Sequence, residues 1–216
     1  MKFDKDWLKL YIVTDRAWLN GADLAAQVKE SIQNGATMVQ IREKTLDMDA
    51  FTAEAERIKA VCQTHGVPFI VNDSVEIALA VGADGVHVGQ HDMAAGDVRT
   101  KLGSDKILGV SAQTVEQAVA AERAGADYLG VGAVFSTSTK LDAAEVSYDT
   151  LKEICAAVSI PVVAIGGIGK DNISRLTGSG IAGVAMVSAV FAQPDIGAAT
   201  RELCDLTETM LEGNCK

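Results

Sequence analysis

The 216-residue sequence lacks the features of several protein classes. No uninterrupted apolar run approaches the roughly 20 residues that a membrane-spanning helix needs, so no membrane association is expected. Lysine and arginine form no cluster, and the formal net charge is -10, which argues against a nucleic-acid partner but not against small anionic ligands. The opening residues, MKFDKD, lack the apolar core of a secretory signal. We therefore expect a soluble, cytoplasmic protein.

Cysteine and histidine are also scarce and scattered. The four cysteines show no CxxC spacing, and the three histidines form no metal-spaced cluster. Cys62 and Cys155 fall in helix-like segments, where reduced packing residues are expected. No candidate nucleophile has an adjacent base, so covalent catalysis is not predicted.

What the sequence does contain is an internal repeat. A glycine followed by a short run rich in valine, isoleucine and leucine occurs four times, and each glycine is expected to end a helix before a buried strand. Four further apolar runs lie between these. The eight predicted strands fall within residues 10–13, 35–41, 68–71, 82–88, 106–110, 125–131, 161–165 and 180–186.

Helical segments separate the predicted strands. Residues 24–33, 50–62 and 115–123 carry apolar residues at three- and four-residue steps, and the segment after Pro194 predicts a last helix. Eight such units match a small TIM barrel better than a doubly wound open sheet, which usually has fewer strands and a distinct nucleotide fingerprint. No linker rich in proline, glycine or serine divides the chain. We therefore predict an α/β fold, a single (β/α)8 TIM barrel, as one domain over residues 1–216.

The second predicted strand ends in a charged segment, at the end of the barrel where reactive groups are expected. Alternation along this segment sends Gln40, Arg42 and Lys44 to one side, and Ile41 and Glu43 to the other. Arginine can hold phosphate oxygens in a bidentate manner and lysine adds a point charge, so we predict polyphosphate binding. The alternative is a solvated turn before the second helix.

Strands three and four are each followed by an aspartate. Asn72 and Asp73 follow strand three, and Asp92 follows strand four. Two carboxylates at neighbouring strand ends suit Mg2+ with bound diphosphate, because this ion keeps waters and takes few protein ligands. The alternative is that both aspartates cap the following helices. Ser111, at the end of strand five, either faces the same mouth or caps the fifth helix.

The last three strands are followed by segments suited to phosphate: a hydroxyl-rich loop that ends in a cation after strand six, and neutral turns after strands seven and eight. A long loop after strand six contains Thr137, Ser138, Thr139 and Lys140, and it either wraps phosphate oxygens or is a flexible surface loop. Strand seven ends in a glycine-rich turn, and strand eight ends in Val187 and Ser188. Backbone amides at these two strand ends form the usual phosphate site of the barrel. Two different phosphorylated ligands are therefore predicted.

In this order, the segments QIREK, VND, GVHVGQxD, TSTK and IGGI closely resemble the thiamine-phosphate synthase family, from Tyr11 to about Ala192. The resemblance implies that Asp73 and Asp92 hold Mg2+. It implies that the pyrimidine diphosphate is bound by Gln40, Arg42, Lys44, Asn72, Ser111 and Lys140, with Ile41 and Glu43 counted among the substrate-binding residues of the same segment. It implies that the thiazole phosphate is bound by Thr137, Ser138, Thr139, Gly167, Val187 and Ser188. Catalysis would be assisted by Arg42, Lys44, Ser111 and Lys140.

The reaction implied by this resemblance is loss of diphosphate from the pyrimidine methylene carbon and capture of that carbon by the thiazole nitrogen. A loose, carbocation-like path needs a stabilised leaving group and shelter from water, which Mg2+ and basic side chains can supply. A nitrogen lone pair needs no strong base. One departure is that the family often has proline at the positions of Ala133 and Ser136, so the strand-six loop lacks a fixed φ there.

Three other functions remain open on the sequence. A thiazole tautomerase-like relative would isomerise one thiazole phosphate without a metal and would not need the full charged set. A sugar-phosphate isomerase or epimerase would share the strand-seven and strand-eight site, but it needs an acid–base pair that we do not find. A non-catalytic protein that binds thiamine precursors would bind without turnover. The sequence also leaves a homo-oligomer open.

Overall fold

The computed structural model describes residues 3–19, 21–90, 92–137 and 145–213. In it, eight parallel strands pair in sequence order, and the first strand closes the circle against the eighth. The predicted α/β fold with a (β/α)8 TIM barrel is confirmed, while the single-domain organisation over residues 1–216 stays a prediction. The strands are β1 Leu10–Val13, β2 Met38–Ile41, β3 Phe69–Asn72, β4 Gly85–Val88, β5 Ile107–Ala112, β6 Tyr128–Val131, β7 Val162–Ile165 and β8 Gly183–Met186.

The outer layer of helices departs from the predicted alternation at one place. Between β7 and β8 the chain forms only the short 3-10 helix Ile173–Leu176, so the expectation of a regular helix ended by Gly180 is wrong. Gly178 and Gly180 both have positive φ, and no residue between β7 and β8 lies in an α-helix. The α-helices are α1 Leu24–Gln33, α2 Met48–His65, α3 Val75–Ala80, α4 Ala95–Leu102, α5 Val115–Arg123, α6 Tyr148–Ala157, α7 Ser188–Phe191 and α8 Ile196–Glu212.

The internal repeat has a structural cause at the amino ends of the strands. In three of its copies, the side chain two positions after the glycine accepts a hydrogen bond from the N–H of the first or second residue of the preceding strand. Thr37 Oγ1 accepts from Leu10 at 2.9 Å, and Asp84 Oδ2 accepts from Phe69 at 2.8 Å. Asp127 makes the same bond to Leu108 N–H at 2.8 Å. These three copies of the repeat therefore bond one strand to the next at the amino ends of the strands.

Successive strand residues pack into two separate apolar layers, as the side-chain period of two requires. Leu10 and Ile12 of β1 belong to the large cluster between the strands and the helices, whereas Tyr11 and Val13 belong to a smaller cluster inside the barrel. Both faces of the strands are therefore buried. In the described ranges, no helix combines the length and apolar character needed to cross a bilayer.

Candidate active site

A cavity of about 250 Å³ opens at the carboxyl ends of the strands. Its position is the one that chain direction dictates, since all eight parallel strands end on the same side of the barrel. Both groups of residues predicted from the sequence contribute to one cavity rather than to two separate sites. The predicted residues that line it are Gln40, Arg42, Asn72, Ser111, Thr137, Gly167, Val187 and Ser188.

The side chains of Ile41 and Glu43 lie away from this cavity. Ile41 is fully buried in the layer between strands and helices. The Glu43 carboxylate lies 3.6 Å from the Arg16 guanidinium, and burial raises its pKa above the usual range. The side chains of Ile41 and Glu43 therefore do not face the cavity, because strand alternation turns them to the opposite face. Their inclusion among the substrate-binding residues is corrected on this point.

The cations of the QIREK segment already have acidic partners. Lys44 Nζ lies 2.7 Å from Asp73 Oδ2, and Arg42 Nη1 lies 3.6 Å from Asp15 Oδ2. The Lys44 side chain is 54% exposed, so solvent screens this ion pair and it contributes little stability. A bound polyanion can therefore replace the carboxylates as the partner of these cations at a small cost in free energy.

Asp73 and Asp92, predicted to hold Mg2+, lie side by side and next to the cavity-lining residues Asn72 and Gly89, but neither aspartate lines the cavity itself. Their carboxyl groups are within hydrogen-bonding reach of each other. Burial, together with the neighbouring Asp92, raises the pKa of Asp73 above its usual range, and Lys44 opposes this shift. Asp92 Oδ2 also accepts from the N–H of Gly89, a cavity-lining residue, at 2.7 Å.

Neither aspartate caps a helix by its side chain. The N-cap of α3 is Ser74, whose side chain accepts from Ile77 N–H, and α4 begins after Ala94 without a side-chain cap. Thr114, rather than Ser111, caps α5. The capping alternatives for these three predicted site residues are therefore wrong.

Asp73 also adopts an unusual backbone conformation. Its φ is 63°, and it is the one non-glycine residue with positive φ in the described chain. Its N–H donates to the carbonyl of His87 at 2.8 Å, which ties the end of β3 to β4. Aspartate and asparagine tolerate the left-handed region better than most residues, and such strain clusters at functional sites.

The glycine-rich turn after β7 presents backbone to the cavity, beside the side chains that line it from β7 and β8. Gly166 and Gly167 have φ of 100° and 65°. A Cβ on Gly167 would lie 2.7 Å from the carbonyl oxygen of Phe135 and would also overlap that of Ser136, so only glycine fits beneath the strand-six loop. A 3-10 helix rather than an α-helix follows β7, whereas β8 leads into the single-turn α-helix α7. The amides themselves remain beside the cavity.

The first part of the strand-six loop is fastened to β7. Val134 N–H donates to the carbonyl of Ile165, and Phe135 N–H donates to that of Gly166, both at 3.0 Å. Val146 N–H donates to the Ala133 carbonyl at 2.7 Å. These bonds hold the loop base where the family often has proline. Thr137 lines the cavity, whereas the predicted Ser138, Thr139 and Lys140 lie outside the described residues.

Sequence reasoning missed a line of polar side chains inside the barrel. Gln40 Nε2 donates to the Tyr11 hydroxyl, which lies 2.9 Å from the Tyr128 hydroxyl. His87 Nδ1 lies 3.0 Å from the Tyr128 hydroxyl, and His87 Nε2 lies 2.9 Å from Ser111 Oγ. The alternation that placed Gln40 and Arg42 would have found them, because they occupy inward positions of β1, β4 and β6.

Comparison with known proteins agrees with this geometry. A family model described as thiamine monophosphate synthase matches residues 10–190. A thiamine-phosphate synthase of Ruminiclostridium cellulolyticum is 50% identical over 197 residues, covering 91% of this chain and 94% of that protein. A thiamine phosphate pyrophosphorylase structure from Pyrococcus furiosus superposes with a TM-score of 0.88 at 37% identity, covering 96% of this chain and 98% of that one. The chain belongs to the thiamine-phosphate synthase family.

Membership of the thiamine-phosphate synthase family confirms the resemblance seen in the motifs and the prediction of a transferase in thiamine biosynthesis. A second relative, the thiamine-phosphate synthase of Clostridium tetani, is 50% identical over 194 residues and covers 90% of this chain and 93% of that protein. The similarity therefore extends over nearly the whole barrel. The tautomerase, isomerase and non-catalytic alternatives have no support in these relatives.

Proposed function

We propose that the chain joins a hydroxymethylpyrimidine diphosphate to a thiazole phosphate with the help of Mg2+, and that the two substrates occupy opposite sides of one cavity. The observation that carries this proposal is the chemical difference between the two sides of the cavity opening. Lys44, Asp73 and Asp92 lie at the ends of strands two to four, whereas backbone amides line the cavity at strands seven and eight. One side suits a metal–diphosphate and the other a phosphate monoester.

The donor set on the charged side fits a magnesium ion. Two adjacent carboxylates with a raised Asp73 pKa indicate a place where a cation would relieve repulsion. In the described part of the chain, no group of three or more His, Cys, Asp and Glu side chains forms a metal site. Mg2+ accepts few protein ligands and completes its shell with water and phosphate oxygens, so Asp73 and Asp92 suffice. When bound, the ion would neutralise charge on the departing diphosphate.

Arg42 and Lys44 serve the departure of diphosphate. The bond between the methylene carbon and the bridging oxygen breaks, and its electron pair leaves with the diphosphate. Both cations have acidic partners, Asp15 and Asp73, and both can turn to phosphate oxygens in exchange. Lys140, which the family resemblance adds to this group, would act in the same way.

The cavity then protects an electron-poor carbon until the thiazole nitrogen reaches it. Apolar side chains of β1 and β7, including Val13, Val163 and Ile165, line the cavity beside the polar groups. They limit access of water, which would otherwise capture the same carbon. The nitrogen lone pair forms the new C–N bond, and no proton has to be removed. This accounts for a site without a nucleophile–base pair.

Gly167, Val187 and Ser188 serve the thiazole phosphate. No described residue accepts a hydrogen bond from the Gly167 or Ser188 N–H, so both amides can donate to phosphate oxygens. The neighbouring Gly169 N–H is different, because it donates to Asn172 Oδ1 at 2.9 Å. Asn172 Nδ2 in turn donates to the Gly167 carbonyl at 2.8 Å and holds the turn in shape.

A two-substrate assay tests this proposal. The purified chain is incubated with both substrates and Mg2+, and thiamine phosphate and diphosphate are quantified. We expect both products in equal amounts, no product when either substrate is left out, and loss of turnover with a chelator that added Mg2+ reverses. Isomerisation of the thiazole phosphate alone, or binding without turnover, would contradict the proposal.

We also propose that the reaction takes place in the cytoplasm. Both substrates carry phosphate groups, and ionised groups cross an apolar bilayer only at high cost. Fractionation of cells that express the chain, followed by the same assay, is the corresponding test. A homo-oligomer stays open.

A further inference from the structure

The hydrogen-bonded line beneath the cavity is built into the barrel core. Tyr11 and Tyr128 are 1% and 0% exposed, and His87 is 8% exposed. The ring of Phe3 stacks on that of Tyr128 with centroids 5.6 Å apart and an interplanar angle of 10°. Buried polar groups must satisfy one another, because each unpaired one costs about 1–3 kcal/mol. The order of donors along this line is therefore constrained.

Two glycines make room for this line. A Cβ on Gly109 would overlap the Tyr128 ring and would lie 2.5 Å from His87 Nδ1. A Cβ on Gly130 would lie 3.0 Å from His87 Cε1. Both glycines follow the inward alternation of their strands, β5 and β6. The packing therefore fixes the His87 ring, and with it the direction of its two nitrogens.

The direction in which hydrogen bonds are donated along this line follows from Gln40, its first member. The Gln40 amide nitrogen can only donate, so the Tyr11 oxygen accepts from it. Tyr11 then gives its own hydrogen to Tyr128, and Tyr128 gives its hydrogen to His87 Nδ1. Burial raises the pKa of both tyrosines well above the usual value, so both stay protonated as this order requires.

The last member of the line faces the substrate cavity. With Nδ1 accepting, a neutral His87 carries its hydrogen on Nε2 and donates it to Ser111 Oγ, 2.9 Å away. Ser111 Oγ then has its own hydrogen left to donate. Ser111 also lines the cavity, so this hydrogen can point to a ligand.

We propose that His87 is a positioning residue: by donating to Ser111 Oγ, it makes the Ser111 hydroxyl a hydrogen-bond donor to an acceptor atom of the pyrimidine diphosphate. Tyr128 and Tyr11 hold His87 in the required tautomer. The proposal rests on the proposed function, since it assigns Ser111 to one of its two substrates. It adds three interior residues, His87, Tyr128 and Tyr11, which affect the reaction through the hydroxyl group of Ser111.

A double-mutant cycle of His87→Phe and Ser111→Ala tests this coupling. We measure kcat/KM for the pyrimidine diphosphate with saturating thiazole phosphate and Mg2+, and the Kd of the same ligand by calorimetry. Each single variant is expected to lose about tenfold in kcat/KM, the loss that about 1.4 kcal/mol produces. The double variant is expected to stay within about twofold of Ser111→Ala, because coupled residues are not additive. KM for the thiazole phosphate is expected to stay unchanged.

Two amide variants separate positioning from packing. The His87→Gln side chain can place an N–H close to the position of Nε2, whereas that of His87→Asn is shorter and reaches only toward Tyr128. Positioning of Ser111 therefore predicts higher kcat/KM for the Gln variant than for the Asn variant. A purely structural role predicts the reverse order or equality. Thermal unfolding of each variant shows whether it is folded. If the His87→Phe variant is unfolded, His87→Gln and His87→Asn take its place in the double-mutant cycle.

Matched controls use the same substitutions away from the cavity. His65 lies at the end of α2 and bonds to the Val61 carbonyl, and the Tyr148 hydroxyl donates to the Thr177 carbonyl. His65→Phe and Tyr148→Phe should leave kcat/KM unchanged, whereas Tyr128→Phe should lower it.

The outcomes distinguish a failure of the role proposed for His87 from a failure of the proposed function. Additive losses in the cycle with an active wild type overturn the role of His87 and leave the synthase intact. A wild type that binds the pyrimidine diphosphate without turnover overturns the proposed function. In that case the double-mutant cycle, measured by the Kd of the pyrimidine diphosphate, still decides the role of His87. A wild type that neither binds nor turns over overturns both.

Discussion

The two sides of the cavity offer different chemical groups. On the side of strands two to four, side chains carry the charge, and they are paired with each other, as in the contact of 2.7 Å between Lys44 and Asp73. On the side of strands seven and eight, Gly166 and Gly167 leave only backbone beside the ligand space, and the turn is held by Asn172. The charged side must exchange partners when a ligand binds, whereas the amide side is already in place.

This difference matches the roles that we propose for the two sides. Charge on the leaving diphosphate grows during the reaction, and mobile cations with a metal can follow it. The phosphate of the thiazole does not react, so a fixed set of neutral donors is sufficient to orient it. Substitutions on the charged side should therefore lower kcat, and those on the amide side should mainly raise KM.

The largest effect is expected for Lys44→Ala. Loss of a cation that contacts the leaving group should lower kcat by about 100-fold or more, as removal of one stabilising donor does in other enzymes. Stability should change little, since the Lys44 side chain is 54% exposed. Steady-state kinetics and thermal unfolding check this. Lys101→Ala, on the exposed surface of α4, is the matched control, and equal rates in the two variants would contradict the placement of the diphosphate.

A smaller effect, on the other side, is expected for Gly167→Ala. Its positive φ and the 2.7 Å approach of a Cβ to the Phe135 carbonyl mean that the strand-six loop must move. We expect KM for the thiazole phosphate to rise about tenfold, because misplacement by a fraction of an ångström weakens oriented hydrogen bonds.

Gly169→Ala is the matched control for this prediction. A Cβ at Gly169 meets no atom within 4 Å, and its φ is not positive. Its kinetics should resemble those of the wild type. A normal KM in Gly167→Ala, or the same defect in both variants, would show that the shape of the turn does not matter for phosphate binding.

The smallest effect concerns stability. Because the folded-state pKa of Asp73 is raised above 3.8, its contribution to stability is present below that value and is lost as the pH rises through the folded pKa. At neutral pH the ionised carboxylate therefore costs stability. Asp73→Asn should raise the Tm of the metal-free protein by about 2 °C, the effect of somewhat less than 1 kcal/mol in a chain of this size.

The same variant should lose the response to metal. Mg2+ should raise the Tm of the wild type in the presence of diphosphate and leave that of Asp73→Asn unchanged. Asparagine also tolerates the left-handed backbone at this position, so the variant tests charge rather than strain. A lower Tm in the metal-free variant would mean that the pair with Lys44 outweighs the repulsion from Asp92.

The charged side could be predicted from residue types, and the amide side only from the order of strands. Arg42, Asp73 and Asp92 are conspicuous because charged residues at strand ends have few purely structural roles. Gly167 and Ser188 are ordinary residues, and only their position after strands seven and eight of a barrel indicated phosphate. The absence of an α-helix before β8 was not predicted, because Gly180 has the same place in the repeat as Gly35, Gly82 and Gly125, which follow α1, α3 and α5.

The interior line escaped prediction because each member has an ordinary explanation by itself. A tyrosine in an apolar strand, such as Tyr11 or Tyr128, is expected to pack in the core. His87 has no metal-spaced partner near it in the sequence, so by itself it is expected to be structural or solvated. The role that we propose for them depends on contacts between residues up to 117 positions apart, which exist only once the barrel has closed.

The central claim is that the two phosphorylated ligands bind on chemically different sides, and calorimetric titration tests it most directly. Each ligand is titrated into the wild-type protein with Mg2+ and with a chelator. The account predicts that the pyrimidine diphosphate binds at least about tenfold more tightly with Mg2+, a difference of about 1.4 kcal/mol, whereas the Kd of the thiazole phosphate is the same in both conditions. Equal dependence of the two ligands on Mg2+, or no dependence of either, would contradict it.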